Sequence, residues 1–337
     1  RLVVVTASLA LAWALHIFVE DPTRRRPFSL SLRSALAIAV VTLMIALVPR
    51  LFMRGGATAE YSALREPNVG FSQACDSSTT FAPSPGCQSP GNPSVLVWGD
   101  SMAMHLVPGL REVVPSGVVQ ATRSNCGPLV NAAPLDNAKL TRKWAKSCVA
   151  FNESVLDYAK RTPTITTVII ASTFERYANQ GTPLLRRNQD AWASITGSPQ
   201  QAAADLSQTV QQLVAMGKHV VVIAPPARAD FDVGMCLERV ARGKLNLRDA
   251  GCKITVAAKT KIQGDVNATM ALLTAANLGV NVRFVDLAAP LCDQANCATT
   301  MGGAALYRDD RHFSVPGSTL LAKQQHWEKW IAASAAR

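Results

Sequence analysis

Short apolar runs alternate with longer amphipathic segments from residue 95 onward. Such runs, bounded by turn residues, are typical of strands buried on both faces, and amphipathic segments are typical of the helices that cover them. The predicted strands are Val95–Trp98, Val118–Ala121, Thr166–Ile170, His219–Ile223 and Val282–Val285, and the predicted helices lie near 102–112, 143–161, 199–216, 254–278 and 316–334. Because strands and helices alternate, the pattern predicts an α/β domain over residues 95–337 with a parallel, doubly wound five-stranded sheet.

The first 53 residues carry longer apolar runs and predict a transmembrane helical hairpin. The run Leu2–Val19 has a length within the ~17–25 residues that span a bilayer, and a second run extends from Ser34 to Met53. The loop between the runs holds four arginines, so the positive-inside rule predicts that the loop is cytoplasmic and that everything after Met53 is outside. A signal peptide or a single anchor is the alternative interpretation of the second run.

Residues 54–94 are rich in Gly, Ser, Pro and Asn, show no apolar periodicity, and predict an extracytoplasmic linker. The even number of cysteines indicates four disulfides between sequence neighbours, and hence an oxidising compartment. The cysteines are Cys75, Cys87, Cys126, Cys148, Cys236, Cys252, Cys292 and Cys297. Zinc binding is the alternative, but it is disfavoured because the sequence contains no Cys-x-x-Cys.

The formal charge of +11 is not concentrated in one basic segment of the predicted domain. Seven arginines against Glu20 and Asp21 give residues 1–54 a charge of +5, which leaves +6 for the rest of the chain. The remaining charges form no basic run and are not interleaved with aromatic residues, so nucleic-acid binding is disfavoured. The sequence predicts no metal site and no tightly bound cofactor.

A candidate for chemistry lies at Gly99-Asp100-Ser101, directly after the first predicted strand. Gly99 allows a tight turn at the carboxyl end of the strand, where open α/β sheets bind their ligands. Asp100 can cap the next helix, and the hydroxyl of Ser101 is then exposed at a helix N-terminus, which favours negative charge. This position suits a nucleophile, although an Asp-Ser pair that only caps a helix has the same sequence.

A second candidate lies near the other end of the chain. Asp309 and His312 are three residues apart, so one turn can present both side chains to a common point. An Asp that orients an imidazole, and an imidazole that takes a serine proton, would form a catalytic triad with Ser101. Asp310 is an alternative carboxylate, but the spacing favours Asp309. The Gly-x-Ser-x-Gly motif of α/β-hydrolases is absent around Ser101.

The Gly-Asp-Ser motif near the start of the domain and the Asp-x-x-His motif near its end resemble those of the SGNH (GDSL-like) hydrolases and acyltransferases. The arrangement is most similar to the C-terminal SGNH domain fused to acyltransferase-3 membrane proteins, which O-acylate cell-envelope glycans. The resemblance covers roughly residues 90 to 335, and Phe18-Val19-Glu20-Asp21-Pro22 resembles the end of the acyltransferase-3 membrane domain. It implies an SGNH-like (flavodoxin-like) α/β/α sandwich preceded by two transmembrane helices, with residues 1–53 as the end of a membrane acyltransferase domain.

The resemblance also implies where an oxyanion hole forms. The Ser101 N–H is one expected donor, and the loop after the second strand offers Ser124 and Gly127. After the third strand the family's usual Asn is missing and Thr173 stands in its place, with Arg176 as a further candidate. Removal of one oxyanion donor typically costs about 10²–10³ in turnover, so weak hydrolysis with retained acyl transfer is expected.

The resemblance implies a multi-pass cell-membrane protein with an extracytoplasmic SGNH domain. The implied reaction is O-acyl transfer, with acetyl as the expected group, from an acyl-thioester donor such as acyl-CoA to a cell-envelope polysaccharide or glycolipid. It would proceed through an acyl-serine at Ser101. Two alternatives stay open: a membrane-anchored carbohydrate esterase, which uses the same residues with water as the acceptor, and a non-catalytic glycan-binding domain.

Overall fold

The computed structural model describes residues 13, 16, 17, 64–77, 80–136, 138–189, 191–244, 246, 248 and 250–331. The chain divides into two compact units, Arg1–Gly55 and Gly56–Arg337. The predicted transmembrane hairpin, residues 1–53, falls almost wholly outside the described residues. Among the residues that are described, no helix is both long and apolar enough to cross a membrane.

The second unit is built from short strands and eight helices within its described part. The strands are β1 (Val95–Gly99), β2 (Val118–Thr122), β3 (Ala132–Pro134), β4 (Thr167–Ala171), β5 (Pro183–Asn188), β6 (Ala191–Thr196), β7 (His219–Ala224), β8 (Ile254–Thr255), β9 (Val282–Asp286), β10 (Asn296–Cys297), β11 (Thr300–Met301) and β12 (Ala304–Ala305). The helices are α1 (Ser101–Met104), α2 (Val107–Val113), α3 (Arg142–Arg161), α4 (Glu175–Ala178), α5 (Pro199–Ala215), α6 (Val233–Ala241), α7 (Val256–Ala275) and α8 (Val315–Gln324).

A five-stranded parallel sheet forms the centre of this unit, in the order β2-β1-β4-β7-β9. Its strands are the five that the apolar runs predict, so that prediction is confirmed to within one residue at each end. All residues of β1, β2 and β4 are buried, because helices cover both faces of the sheet. The order reverses between β1 and β4, which is where sheets of this topology bind ligands at their carboxyl ends.

Two hydrophobic cores lie on opposite faces of the sheet, since successive strand residues point in opposite directions. Leu96 and Trp98 enter the core that includes residues of α3, α5 and α7, whereas Val95 and Val97 enter the core that includes residues of α1, α2 and α8. The unit is therefore an α/β/α sandwich.

Two of the predicted helices are interrupted. The predicted helix 102–112 divides into α1 and α2, because in one continuous helix the ring of Pro108 would clash with the carbonyl of Met104. The predicted helix 316–334 ends at Gln324, and a short 3₁₀ turn at Trp327–Trp330 follows His326, whose φ is 53°. The left-handed backbone at that histidine cannot continue an α-helix.

A smaller antiparallel sheet, β3-β5-β6, was not predicted from the sequence. Its strands are short, and β6 is largely exposed, so they carry no clear alternation of apolar and polar residues. Two further two-stranded pairs, β10-β8 and β11-β12, are too short to be recognised by pattern.

The described end of the predicted linker packs against the sheet. Asp76 and Gln88 form isolated bridges to Thr122 and Val119 of β2. Only 3% of the Asn68 surface is exposed. Its Nδ2 donates to the carbonyl oxygens of His105 and Phe313, which lie much later in the chain. The described residues within 68–94 are thus part of the folded unit, so the predicted linker does not extend over them.

The cysteines pair as sequence neighbours, so the prediction of four local disulfides is confirmed. The pairs are Cys75–Cys87, Cys126–Cys148, Cys236–Cys252 and Cys292–Cys297.

Candidate active site

The nucleophile turn, Gly99 to Ser101, connects β1 to α1 at the carboxyl end of the sheet. Gly99 has a φ of +154°, and a Cβ built on it would lie 1.8 Å from the carbonyl oxygen of Ala171 in β4. Only glycine permits this close approach of two backbones. Ser101 begins α1, and its N–H is one of the donors that the helix does not use internally.

Asp100 holds the nucleophile turn from inside and does not act on the imidazole. Its Oδ1 accepts from the Met102 N–H at 2.8 Å, and its Oδ2 accepts from the Ser172 hydroxyl at 2.6 Å and the Thr173 N–H at 3.2 Å. Burial raises the pKa of this carboxyl, although hydrogen bonds from these three residues and the charge of His312 oppose the shift. Asp100 therefore ties the end of β1 to the end of β4.

The histidine turn, Asp309 to His312, approaches the nucleophile from the other end of the chain. One oxygen of Asp309 accepts from the backbone N–H groups of Arg311 and His312, at 3.0 and 2.8 Å. The carboxylate also lies 2.8 Å from His312 Nδ1 through its Oδ2. Burial works to raise the pKa of Asp309, but hydrogen bonds and charge from His312 outweigh it and lower the pKa well below the ordinary value.

His312 brings the two turns together. Its Nε2 lies 2.8 Å from Ser101 Oγ, across 211 positions of sequence. The Ser101, His312 and Asp309 side chains thus form one hydrogen-bonded row, in the order that a serine nucleophile and its base require. The structure brings together the three residues that the two motifs singled out.

Asp310, the alternative carboxylate, pairs with two arginines, and it is Asp309 that contacts the imidazole. The Oδ2 of Asp310 accepts from Arg228 Nε at 3.1 Å and from Arg311 at 2.8 Å, and Arg228 also pairs with Glu175. Burial works to lower the pKa of Arg228, but the hydrogen bonds and charges of Glu175 and Asp310 raise it. These four side chains form a charge-paired cluster beside the hydrogen-bonded row of Ser101, His312 and Asp309.

His105 lies behind the row and has no access to solvent. Its ring centroid is 6.0 Å from that of His312, and its Nδ1 accepts from the Phe313 N–H at 3.3 Å. Burial, with a contribution from the charge of His312, lowers the pKa of His105 well below its ordinary value. A neutral His105 therefore holds the chain just after His312.

An open cavity of about 550 Å³ lies over Ser101 and His312. Its wall is polar and includes the charge-paired cluster, together with Asn125, Thr173 and Arg176. The cavity is large enough for an acyl group and part of an acceptor, since ligand sites commonly have volumes of ~300–1,000 Å³.

The structure does not bring Ser124 or Gly127 to the cavity wall, in contrast to the expectation for the oxyanion hole. The N–H and hydroxyl of Ser124 donate to the carboxylate of Asp76, at 2.8 and 2.7 Å. The N–H of Gly127 donates to the hydroxyl of Tyr177 at 2.9 Å. Both N–H groups are therefore used by partners that lie far away in sequence.

Asn125, between those two residues, lines the cavity instead. Its φ is 62°, a left-handed conformation that Asn tolerates better than most residues. Thr173 also lines the cavity, although its N–H is engaged by Asp100. Arg176 lines the cavity too, with one guanidinium nitrogen 3.9 Å from Asp136.

Sequence reasoning missed Asn125 and the cluster around Arg228. Asn tolerates left-handed backbone and is common in turns, so Asn125, two positions before Gly127, had a usable local signal. Arg228 had none, because its partners Glu175 and Asp310 lie 53 and 82 positions away. Within the described residues, no group of three or more His, Cys, Asp or Glu side chains is arranged to hold a metal ion.

Comparison with known proteins identifies a family and a solved structure of similar fold. A family model described as "SGNH domain (fused to AT3 domains)" matches residues 74–325. The periplasmic domain of the lipopolysaccharide acetyltransferase of Salmonella ser. Paratyphi A has a similar fold, with a TM-score of 0.54 and 17% sequence identity, over 82% of this chain and 98% of that chain. A search of curated proteins finds no match.

Proposed function

The chain belongs to the family of SGNH domains fused to AT3 domains, and from this premise we propose that it is an O-acyltransferase of cell-envelope glycans. The observation that carries the proposal is the 2.8 Å contact between Ser101 Oγ and His312 Nε2 at an open cavity. An isolated capping serine needs no such partner. Acetyl is the proposed acyl group, and Ser101 is proposed to carry it as an ester.

In the first half-reaction His312 takes the Ser101 proton as Oγ attacks the acyl carbonyl of the donor. Asp309 keeps the imidazole oriented and stabilises the imidazolium that forms. The tetrahedral intermediate then collapses, the bond to the donor's leaving group breaks, and His312 gives its proton to that group. In the second half-reaction His312 takes a proton from a glycan hydroxyl, whose oxygen attacks the acyl-serine and releases Ser101 with its proton restored.

The oxyanion of each intermediate needs hydrogen-bond donors at the cavity wall. The Ser101 N–H, at the start of α1, is the first proposed donor. The Asn125 side-chain amide is the second, because it replaces the Ser124 and Gly127 N–H groups that are engaged elsewhere. The Thr173 hydroxyl is a third. If Asn125 donates, Asn125→Ala lowers turnover by about 10²-fold or more without weakening ground-state binding comparably.

The location of the domain and the class of its acceptor are proposed from two separate observations. Four disulfides favour an oxidising, extracytoplasmic compartment. The similar Salmonella structure is the periplasmic domain of a lipopolysaccharide acetyltransferase, which favours a glycan or glycolipid acceptor here. A membrane portion that receives the acyl group from acyl-CoA, with residues 1–53 as its last part, completes the proposal.

A serine-directed fluorophosphonate tests the catalytic claim first. The full chain is expected to be labelled at Ser101, and the label is expected to be lost in Ser101→Ala and strongly reduced in His312→Ala. Folded protein that is never labelled would exclude both an acyltransferase and an esterase, and would leave a glycan-binding domain.

Product analysis then distinguishes transfer from hydrolysis, which use the same protein groups. The unlabelled enzyme is incubated with p-nitrophenyl acetate and an oligosaccharide, and mass spectrometry is used to detect an acetylated sugar. Acetylated oligosaccharide supports the transferase. Release of free acetate alone, at every oligosaccharide concentration, would instead identify a carbohydrate esterase.

A further inference from the structure

A second and larger cavity, of about 770 Å³, lies beside the small antiparallel sheet. We name it the Trp192 groove, after the aromatic residue of β6 that lines it. Side chains from β6, from the β5–β6 turn and from helices α3 and α5 form its walls, and Ser101, His312 and Asp309 are not among them. The Trp192 groove is therefore separate from the catalytic row.

The groove is lined by an unusual number of side-chain amides. The residues are Asn131, Gln189, Gln208 and Gln212. Each glutamine side chain carries both a donor and an acceptor, whereas the Nδ2 of Asn131 is already engaged by Asp205 and Gln208. The Asn131 amide donates to Gln208 Oε1 at 2.8 Å, which fixes the orientation of that pair. Amides that both donate and accept suit a ligand whose hydroxyl groups do the same.

The charges of the groove disfavour a polyanionic ligand. Glu153 and Arg187 form an ion pair within it, and the other charged lining residue, Asp157, is an acid. The groove therefore carries a net charge of −1, from one arginine and two carboxylates. Phosphate-rich ligands need an excess of cationic groups, which the wall does not supply.

Trp192 provides the apolar surface of the groove. Its indole is half-buried, and the nearest cations lie 5.5 Å (Lys146) and 5.9 Å (Arg187) from the ring centroid. Both distances are near the ~6 Å limit of a cation–π contact, whereas Arg248 lies 3.6 Å above Phe231. A large flat ring beside amides matches a pyranose, which has apolar C–H faces and a rim of hydroxyls.

Strand β5 connects the Trp192 groove to the active-site cavity. Thr182, the residue before this strand, lines the active-site cavity, and Arg187 near its end lines the groove. At ~3.4 Å per residue, the strand from Pro183 to Asn188 spans roughly 17 Å. A glycan chain of several sugars covers such a distance.

We propose that the Trp192 groove binds an uncharged segment of the acceptor glycan, several sugars away from the hydroxyl that receives the acyl group. Trp192 stacks on one pyranose, and the surrounding amides bind its hydroxyls. The role of this segment in acceptor selection rests on the proposed function, whereas glycan binding by the groove does not. Long acceptors are then expected to bind more tightly than short ones that reach only the active-site cavity.

Glycan binding is measured with the full chain carrying Ser101→Ala, so that no turnover interferes. A glycan array of bacterial envelope polysaccharides identifies the strongest neutral ligand, and calorimetry with long and short oligosaccharides cut from it gives the dissociation constants. In this background Trp192→Ala is expected to weaken binding of the long oligosaccharide about tenfold or more, because a central aromatic carries much of such a contact. Binding of the short one is expected to change little.

Two further variants guard against a trivial loss of folding. Trp144→Ala, on α3 outside the groove, is the matched control and is expected to leave the dissociation constant unchanged. The double variant Gln208→Ala/Gln212→Ala changes exposed or half-exposed helix positions, and is expected to weaken binding without affecting thermal unfolding.

Unchanged binding by both groove variants would overturn the proposal, as would the absence of any neutral glycan ligand on the array. Failure of the two proposals can be told apart with fluorophosphonate labelling of the unsubstituted chain. Labelling without glycan binding rejects only the groove, and glycan binding without labelling rejects only the catalytic proposal.

Discussion

The nucleophile turn and the histidine turn meet at the hydrogen bond between Ser101 and His312, but different kinds of contact hold each turn in place. The nucleophile turn is held by distant parts of the chain, because Gly99 touches the backbone of Ala171 and Asp100 accepts from Ser172. In the histidine turn the catalytic carboxylate is instead held locally, since Asp309 accepts from two N–H groups of its own turn. The position of Ser101 therefore depends on packing against the sheet, whereas the position of the Asp309 carboxylate depends on a local turn.

The largest effect is expected where the histidine turn is changed without disturbing the sheet. Asp309→Asn should lower acyl-transfer turnover about 10⁴-fold, because the amide favours the wrong imidazole tautomer and does not stabilise the imidazolium. Folding should be nearly unaffected, since an amide oxygen still accepts from the turn N–H groups. Turnover of p-nitrophenyl acetate and thermal unfolding measure the two properties separately. An equally large loss in Asp310→Asn would contradict the assignment of Asp309.

The nucleophile turn should behave in the opposite way, with activity and stability lost together. Gly99→Ala is expected to cost about 4 kcal/mol of unfolding free energy, from backbone strain and from the clash with Ala171. Gly217→Ala is the matched control, because Gly217 also has a positive φ but has open space around it. Urea denaturation of both variants isolates the effect of the clash. Equal losses in the two would show that the close strand contact is unimportant.

Two disulfides near the site differ in the length of chain that they close. Cys126–Cys148, beside Asn125, closes 22 residues, whereas Cys292–Cys297, before the histidine turn, closes five. Replacing both cysteines by alanine should cost about 3 kcal/mol for the first pair and about 2 kcal/mol for the second, on loop entropy alone. Chemical denaturation under oxidising conditions measures both. The reverse order would show that loop entropy does not govern these bridges.

The smallest effect is expected for His105, which lies at the end of α1 and accepts from the Phe313 N–H just after the histidine turn. Its pKa is lowered in the folded state, so the unfolded chain binds a proton there below about pH 6.5 while the folded chain does not. The contribution of His105 to the free energy of unfolding is therefore fully present above that pH and declines as the pH falls. Between pH 6.5 and the folded-state pKa, wild type should lose up to about 1.4 kcal/mol per pH unit relative to His105→Asn. Parallel stability curves for the two proteins from pH 7 to 5 would contradict a neutral buried His105.

Differences in burial explain which strands the sequence could predict. The central strands were recognised because burial on both faces makes each of them a continuous apolar run. Strands β5 and β6 were missed because β5 ends in Arg186, Arg187 and Asn188, and β6 is mostly exposed. Neither strand has the alternation that marks a half-buried strand.

At the site, local motifs could be read and long-range partners could not. The Asp309 and His312 spacing was sufficient to suggest their contact, because three residues form one turn. The choice against Ser124 as an oxyanion donor depended on Asp76, which lies 48 positions earlier in the predicted linker. No pattern within the loop around Ser124 reveals that carboxylate.

Asn68 has a practical consequence for how the domain should be cut. Its side chain donates to the carbonyl oxygens of His105 and Phe313, and so clasps the helical segment after Ser101 to the residue after His312. A truncation that starts at Val95, where the sheet begins, would discard this clasp and leave two buried acceptors without their donor. Truncated protein with weak activity would then reflect a loosened spacing between the serine and the imidazole. The minimal catalytic fragment should begin upstream of Asn68.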